Sequence, residues 1–303
     1  FARHLFQSLG AEMARLGPRL QAHPQPRVGP PAGMLRFGRR PAESGRALPP
    51  MLRIEQLRDR ATPGVAKAAL GRLAESRRLL PHLRAYATML RGLAEKASGD
   101  PAVAQATFDS LGYVRDWMVI GSFDNEGKSG LDREMPPEAR RAAPVDRDAT
   151  FRGKEREVRW RRYPRELSPQ GYVSFDAVFR PWVNVCAYAE TFVELERAEP
   201  LTIWFGAAGA AKVWFNGDEV LSDEAYRRVD YDRFAASVAG RAGMNRVLVK
   251  VCTAEGPWGF TLRFGDRSGG ARADLNVVAE GPTEAAAAPA NAPRVPDATA
   301  APL

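Results

Sequence analysis

Two strand-like segments, LTIWF and KVWF, each carry one tryptophan, and these tryptophans are the strongest candidates for ligand contact. If the segments pair as a hairpin across the small residues GAAGAA, period-2 alternation places Trp204 opposite Trp214 on one face. Lys212 shares the face of Trp214, and Asn216 begins a tight Asn-Gly turn. Flat indole rings cover the apolar faces of sugars or anchor peptides, so we predict a ligand-binding face of Trp204, Trp214, Lys212 and Asn216. The favoured alternative is that this face is buried beneath a loop or a helical segment, as large aromatic side chains usually are.

The segment FDNEGKSGLD suggests a second kind of site, because Asp124, Glu126 and Asp132 place carboxylates around glycines. Oxygen ligands in such a loop could hold a structural Ca²⁺. The spacing does not match an EF-hand loop, and an ordinary Asx-rich turn explains the same residues. The turn interpretation is favoured, and we predict no cofactor, with Ca²⁺ as the alternative.

Other residues with catalytic chemistry are few. The histidines His4, His23 and His82 all precede the tryptophan-rich region, which therefore lacks His-assisted nucleophilic catalysis and His-bearing metal sites. The chain contains no CxxC, P-loop, Rossmann glycine pattern or G-x-S-x-G elbow. We predict that this chain is not an enzyme. Because it begins at Phe1, we expect it to be part of a longer protein, whose catalysis, if any, lies elsewhere.

The positive charge is concentrated in one segment. The net charge is +8, and residues 1–50 hold eight Arg and two Glu, a surplus of six, so residues 51–303 carry only +2 (8 − 6). A basic arm without a basic folded face argues against nucleic-acid binding. The run RWRRYPR could form a polyanion-binding strip, but alternation directs Arg159 and Arg161 outward and Val158 and Trp160 inward. That pattern favours a solvated edge strand.

Two cysteines, Cys186 and Cys252, lie in separate candidate strands. They either form a disulfide in an oxidising compartment or are two small buried hydrophobic residues, and the second interpretation is favoured. No apolar run approaches the roughly 20 residues that a membrane-spanning helix requires, so we predict no membrane span.

Composition divides the chain into four segments. Residues 1–50 form a basic, Pro/Arg-rich, largely irregular arm, and residues 51–112 form a helical hairpin segment. Residues 113–270 form a β-domain, and residues 271–303 form an Ala/Pro-rich linker or tail. Within the helical segment, Asp100 is a suitable N-cap for a third helix.

The β-domain alternates short period-2 runs with Gly, Pro, Asn and Asp, which is typical of an antiparallel β-sandwich. The eight candidate strands are Trp117–Ile120, Glu157–Tyr163, Tyr172–Phe175, Asn184–Leu195, Leu201–Phe205, Lys212–Phe215, Arg246–Val251 and Trp258–Phe264. In the last strand the phenylalanines and Leu262 share one apolar face, and Thr261 and Arg263 lie on a partly wet opposite face.

Two motifs carry a family resemblance. DWMVIGSFDNEGKSGLDREMPPE resembles the opening of a galactose-binding-like jelly roll that follows helical, tetratricopeptide-like repeats in bacterial exported proteins. KVWFNGDEV, AGMNRVLVKV and GPWGFTLRFGD resemble the same domain and are also similar to accessory sugar-binding jelly rolls of family 2 glycoside hydrolases. The resemblance covers about residues 100–268. Ser122 departs from a usual Pro, and GAAGAA replaces a polar, Asp-containing loop.

The resemblance implies a mainly β jelly roll behind a short α-helical segment, in a periplasmic or extracellular protein. We predict a non-catalytic module that binds glycan or cell-envelope polymer within a larger multidomain protein. The alternative is a structural or protein–protein interaction module that links helical repeats to other domains without a small ligand.

Overall fold

The computed structural model describes residues 62–139 and 148–281. The predictions made for residues 1–50, for residues 51–61 and for residues 282–303 lie outside these ranges. His4 and His23 lie outside them as well.

Three helices open the described chain: α1 (Pro63–Ala74), α2 (Pro81–Ala97) and α3 (Pro101–Asp109). Each begins with proline, which suits the first helical turn because its missing N–H has no helical partner there. Asp100 precedes α3 as expected, but its side chain does not cap the helix; its carboxylate instead pairs with Lys67 Nζ of α1 at 2.8 Å. No helix within residues 62–139 and 148–281 is long and apolar enough to cross a membrane.

The rest of the described chain is mainly β and antiparallel, with one short α-helix, α4 (Pro136–Ala139), and two 3-10 turns, Glu126–Lys128 and Arg165–Leu167. The strands are β1 (Met118–Asp124), β2 (Thr150–Arg152), β3 (Glu157–Arg159), β4 (Arg161–Arg162), β5 (Tyr172–Ser174), β6 (Val185–Leu195), β7 (Glu199–Ala208), β8 (Ala210–Phe215), β9 (Asp218–Asp223), β10 (Phe234–Gly240), β11 (Gly243–Thr253), β12 (Gly259–Gly265) and β13 (Asn276–Val278).

The described strands form two main sheets and one short β2–β3 ribbon. The larger sheet has the order β4-β1-β6-β11-β8-β9, with β13 also pairing with β6, and the smaller sheet has the order β10-β7-β12-β5. Alternate side chains of both sheets enclose a common core. This core contains the apolar faces predicted for the strands around Ile203, Val249 and Leu262.

The predicted hairpin between β7 and β8 is wrong, because the two strands lie in different sheets. β7 pairs with β10 and β12, whereas β8 pairs with β9 and β11. The small residues GAAGAA form no loop; they continue both strands up to Gly209, where the chain crosses between the sheets. Gly209 has φ +113°, and a Cβ there would lie 2.3 Å from the Cys252 carbonyl oxygen, so only glycine fits the crossing.

The strand β13 lies in the stretch predicted to be a linker or tail. Its pairing with β6 extends the ordered β-structure beyond residue 270. β10 was also absent from the predicted strands, since its alanine-rich sequence FAASVAG carries little apolar alternation.

The two cysteines form a disulfide, which corrects the favoured prediction that they are free. Cys186 of β6 and Cys252 of β11 are direct register partners, and both are buried. The bond therefore joins two central strands of the larger sheet.

Removing this disulfide by the double substitution Cys186→Ala/Cys252→Ala should lower the free energy of unfolding by about 2–4 kcal/mol, because the crosslink restricts the unfolded chain. Urea unfolding of the oxidised wild type and the double variant measures the difference. Thiol titration in denaturant should find no free thiol before reduction and both thiols after it. Free thiols in unreduced protein from an oxidising compartment would contradict the disulfide.

Candidate functional site

Trp204 lies on the outer face of the smaller sheet, where the helices cover it. Its ring stacks on His82 at the start of α2, with centroids 6.4 Å apart, and its Nε1 donates to the Asp266 carbonyl oxygen at 3.0 Å. The half-buried indole therefore serves the contact between helices and sheet.

An arginine–carboxylate pair lies beside this tryptophan. Arg263, predicted to lie on a partly wet face, is fully buried, and its guanidinium stacks 5.3 Å from the Trp204 ring. Its Nε and Nη2 donate to the Asp232 carboxylate at 2.7–3.0 Å, and Nη2 also donates to the Gly269 carbonyl oxygen. Tyr113, which follows the helices, donates its hydroxyl to Asp232 at 3.2 Å. Burial and the Asp232 charge raise the pKa of Tyr113 well above its ordinary value, so this tyrosine stays protonated as a donor.

Trp214 lies on the outer face of the other sheet and is 1% exposed. It belongs to an apolar cluster in which Met135, Leu131 and Trp160 cover that face. Trp204 and Trp214 are therefore on opposite sides of the domain and do not form a shared platform.

A buried lysine holds the covering segment in place. Lys250 of β11 donates to Glu138 Oε1 at 2.6 Å and to the carbonyl oxygens of Leu131 and Arg133 at 3.0 and 2.9 Å. Tyr188 of β6 also donates its hydroxyl to Glu138. Burial lowers the pKa of Lys250 and the Glu138 carboxylate opposes that shift. Glu138 ends the first resemblance motif and Lys250 lies in the second, so the motifs meet in a network that anchors the segment to the sheet.

The other two predicted ligand contacts also have structural partners. Lys212 pairs with Asp132 at 3.0 Å and with Glu219 at 3.9 Å on the same outer face. Asn216 adopts φ +52° in its turn, where its side chain bonds to Asn245 and to the Arg246 backbone N–H. The prediction of an Asn-Gly turn is correct, and the amide stabilises that turn.

Each of the three predicted calcium ligands pairs with a cationic side chain. Asp124 lies 3.3 Å from Arg133 Nη2, and Asp132 pairs with Lys212. Glu126 pairs with Lys154 at 2.6 Å. Within residues 62–139 and 148–281, no group of three or more His, Cys, Asp or Glu side chains is placed to hold a metal ion.

Asn125 organises this turn instead. It is fully buried; its amide donates to the Thr253 carbonyl and the Tyr226 hydroxyl, and its Oδ1 accepts from the Gly130 N–H. In the same turn, Asp124 Oδ1 accepts from the backbone N–H of Glu126 two residues on at 3.4 Å, the contact of an Asx turn.

Several loops lie together at one end of the domain, away from the covered outer faces of the two sheets. Register pairs Asp124 with Val185, Cys252 with Ala210, and Gly259 with both Ala208 and Ser174. The connections at 125–129, 153–156, 175–184 and 254–258 therefore meet at this end, which we call the loop end.

Trp182 is the exposed aromatic residue of the loop end. All six tryptophans lie in the described residues, and Trp182 alone is classed as exposed, at 39%, next to the equally exposed Val183. Trp182 was not among the predicted site residues, because its loop has no alternation to interpret; the available signal was an aromatic residue beside Pro181 between two strands.

Side chains from outside the loop hold Trp182's backbone in place. Ser122 Oγ donates to the Pro181 carbonyl oxygen at 2.5 Å. Lys154 Nζ donates to the Val183 and Asn184 carbonyl oxygens at 3.2 and 2.9 Å. Trp182 is therefore presented on a pre-organised backbone. Ser122, where the resemblance expects Pro, supplies one of these bonds.

Arginines also bind this loop. Arg156 donates to the Arg180 carbonyl oxygen at 2.7 Å, and Arg161 of the edge strand β4 donates to the Val178 carbonyl oxygen. Arg180 itself donates to the Asp176 and Phe179 carbonyl oxygens, each at 2.6 Å. The outward direction predicted for Arg159 and Arg161 is correct, since both are exposed while Val158 and Trp160 are buried.

No protein-family profile matches the chain, and no curated protein matches it. Among solved structures, it is similar to the PA14 domain of an antifreeze protein, with 15% identity and TM-score 0.27 over 33% of this chain and 55% of that one. An anti-sigma factor domain-containing protein from Clostridium clariflavum matches with 10% identity and TM-score 0.31, over 54% and 45%. A β-glucuronidase from an uncultured Clostridium species matches with 13% identity and TM-score 0.28, over 49% and 28%. The chain thus spans 28–55% of these solved chains, and similarity at this level identifies no ligand.

Proposed function

We propose that this chain is a non-catalytic binding module, a β-sandwich of jelly-roll type, that binds a glycan or cell-envelope polymer at its loop end. The single observation that carries the proposal is the exposed Trp182 on a braced loop. An indole that is already held in place loses little conformational freedom when it covers a sugar ring. In this proposal Trp204 and Trp214, which were the candidates from the sequence, stabilise the fold and do not contact the ligand.

Trp182→Ala should weaken binding to the polysaccharide that the wild type retains by about tenfold or more in Kd, as expected for a central aromatic contact. Affinity gel electrophoresis against a panel of neutral and acidic polysaccharides measures the loss. Leu167→Ala is the matched control, because Leu167 is an exposed apolar residue, at 49%, on another connection. Equal retardation of both variants and the wild type would reject the loop end as the binding site.

The absence of catalysis remains part of the proposal. It is supported by the ion pairs Lys250–Glu138 and Arg263–Asp232, in which the buried charges contact structural partners. A location in the periplasm or outside the cell is also proposed. The Cys186–Cys252 disulfide supports it, because such bonds persist in oxidising compartments.

A second candidate function is a structural module that joins helical repeats to other domains. The observation in its favour is the contact between the helices and the smaller sheet, where His82 stacks on Trp204 and Tyr113 bonds to Asp232. Such a module would hold neighbouring parts of a larger protein in fixed orientation. This role is compatible with glycan binding at the loop end.

A further inference from the structure

Three arginines converge on the loop that carries Trp182. Arg156, Arg161 and Arg180 each donate to a carbonyl oxygen between residues 176 and 180. All three are exposed. Their positive charges therefore surround one short connection at the loop end.

No described carboxylate neutralises these charges. Within residues 62–139 and 148–281, none of the three guanidinium groups has an ion pair within 4.0 Å. Lys154, which contacts the same loop, pairs by contrast with Glu126 and Asp124. The Arg161 guanidinium stacks over Phe179, 4.8 Å from the ring centre. Partial desolvation of its guanidinium, which packs on Phe179, lowers the pKa of Arg161, and the charge of Arg156 lowers it further, so the two cations repel each other.

Bracing the loop does not require this charge. A hydrogen bond to a carbonyl oxygen occupies one or two of the five N–H groups of an arginine. It leaves the positive charge of the guanidinium without a counter-charge. A planar guanidinium whose remaining N–H groups are free matches a carboxylate in a bidentate geometry. Uncompensated, mutually repelling arginines beside an exposed indole therefore indicate a ligand that carries both carboxylates and flat apolar sugar faces.

We propose that the loop end binds a uronic-acid polysaccharide, with Trp182 covering a sugar ring and Arg156, Arg161 and Arg180 binding its carboxylates. This inference rests on the proposed glycan-binding function and specifies its substrate class. Single-stranded nucleic acid is the competing polyanion, but its binding sites present several stacking aromatics along a basic groove, whereas one exposed tryptophan lies here.

The test compares two probes with the same sugar backbone, polygalacturonate and its fully methyl-esterified form, by calorimetry with the whole chain. We expect at least about tenfold tighter binding to the acidic form, and a loss of that preference on raising NaCl from about 0.05 M to about 0.5 M. Arg156→Gln, Arg161→Gln and Arg180→Gln should each reduce the preference for polygalacturonate over the ester about five- to tenfold. Glutamine removes the charge, but its side chain is shorter than that of arginine and does not reach the carbonyl oxygens that the terminal guanidinium nitrogens contact. The Tm of each variant and its affinity for the ester therefore report the loss of loop bracing.

Arg197→Gln is the matched control, because Arg197 is exposed on the turn between β6 and β7 at the other end of the domain. Equal, Trp182-dependent affinity for both forms would overturn the acidic ligand and leave the proposed glycan function standing. Binding to neither form, nor to any polysaccharide of the panel, would overturn both. Tighter binding to a single-stranded oligonucleotide than to polygalacturonate would overturn the proposal, because the anionic ligand would then be a nucleic acid and not a glycan. A fall in Tm without a change in acidic preference would assign the arginines to loop bracing alone.

Discussion

Replacing Lys250 with methionine is expected to lower the free energy of unfolding by about 3–5 kcal/mol, because the substitution breaks the buried Lys250–Glu138 ion pair. The carbonyl oxygens of Leu131 and Arg133 lose their donor as well. An unpaired buried acceptor retains its full desolvation penalty. These groups belong to the segment 125–139, which helps to cover the outer face of the larger sheet. We therefore expect this segment to unfold before the sheet does. Urea unfolding followed by circular dichroism measures the total effect, and hydrogen exchange locates it.

Lys212 provides the internal control for this experiment. It is the register partner of Lys250 on the neighbouring strand, but it pairs with Asp132, whose side chain is 79% exposed. Lys212→Met should therefore cost less than about 1 kcal/mol. Adding Glu138→Gln to Lys250→Met should recover part of the lost stability, because the negative charge that Lys250 balanced is then removed as well. Equal effects of the two lysine substitutions would show that Lys250 does not anchor the segment.

The directions of side chains were predictable from the sequence, whereas the partners of strands were not. Alternation placed Ile203 in the core and Arg161 in solvent, because burial of a strand residue depends on local period-2 geometry. The pairing of β7 with β8 failed, because strand pairing is a long-range property and the sequence GAAGAA allows either a loop or a crossing. Only the fold shows that Gly209 passes close to the Cys252 carbonyl group.

The candidate site moved for a related reason. Trp204 and Trp214 have the alternation of a solvent-facing ligand platform, but the helices cover one face and the segment 125–139 helps to cover the other. The residue types on a strand predict that one of its faces is buried, but they do not identify the segment that packs on that face. Trp182 lies in a loop held by Ser122 and Lys154, and those contacts join positions 30–60 residues apart that no local pattern connects.

The contact between the helices and the smaller sheet should also depend on a buried ion pair, Arg263–Asp232. Asp232→Asn is expected to lower the free energy of unfolding by about 3–5 kcal/mol, because it leaves the fully buried Arg263 guanidinium without a counter-charge. Asp232 has φ +55°, a conformation that asparagine adopts readily, so the backbone is not the source of the loss. Since Tyr113 also donates to Asp232, amide exchange in residues 62–112 should accelerate more than in β6 or β11.

Asp230→Asn makes the same change two residues earlier, at a carboxylate that is 63% exposed and pairs with Arg233. It should cost less than about 1 kcal/mol and leave exchange in the helices unaltered. If Asp232→Asn destabilised the chain without selectively accelerating exchange in the helices, the arginine–carboxylate pair would stabilise the smaller sheet alone. Selective acceleration would instead identify Arg263–Asp232 as the link that fixes the helices on the domain, and glycan binding at the loop end should then be unaffected, because Trp182 and its braces contact neither partner of the pair.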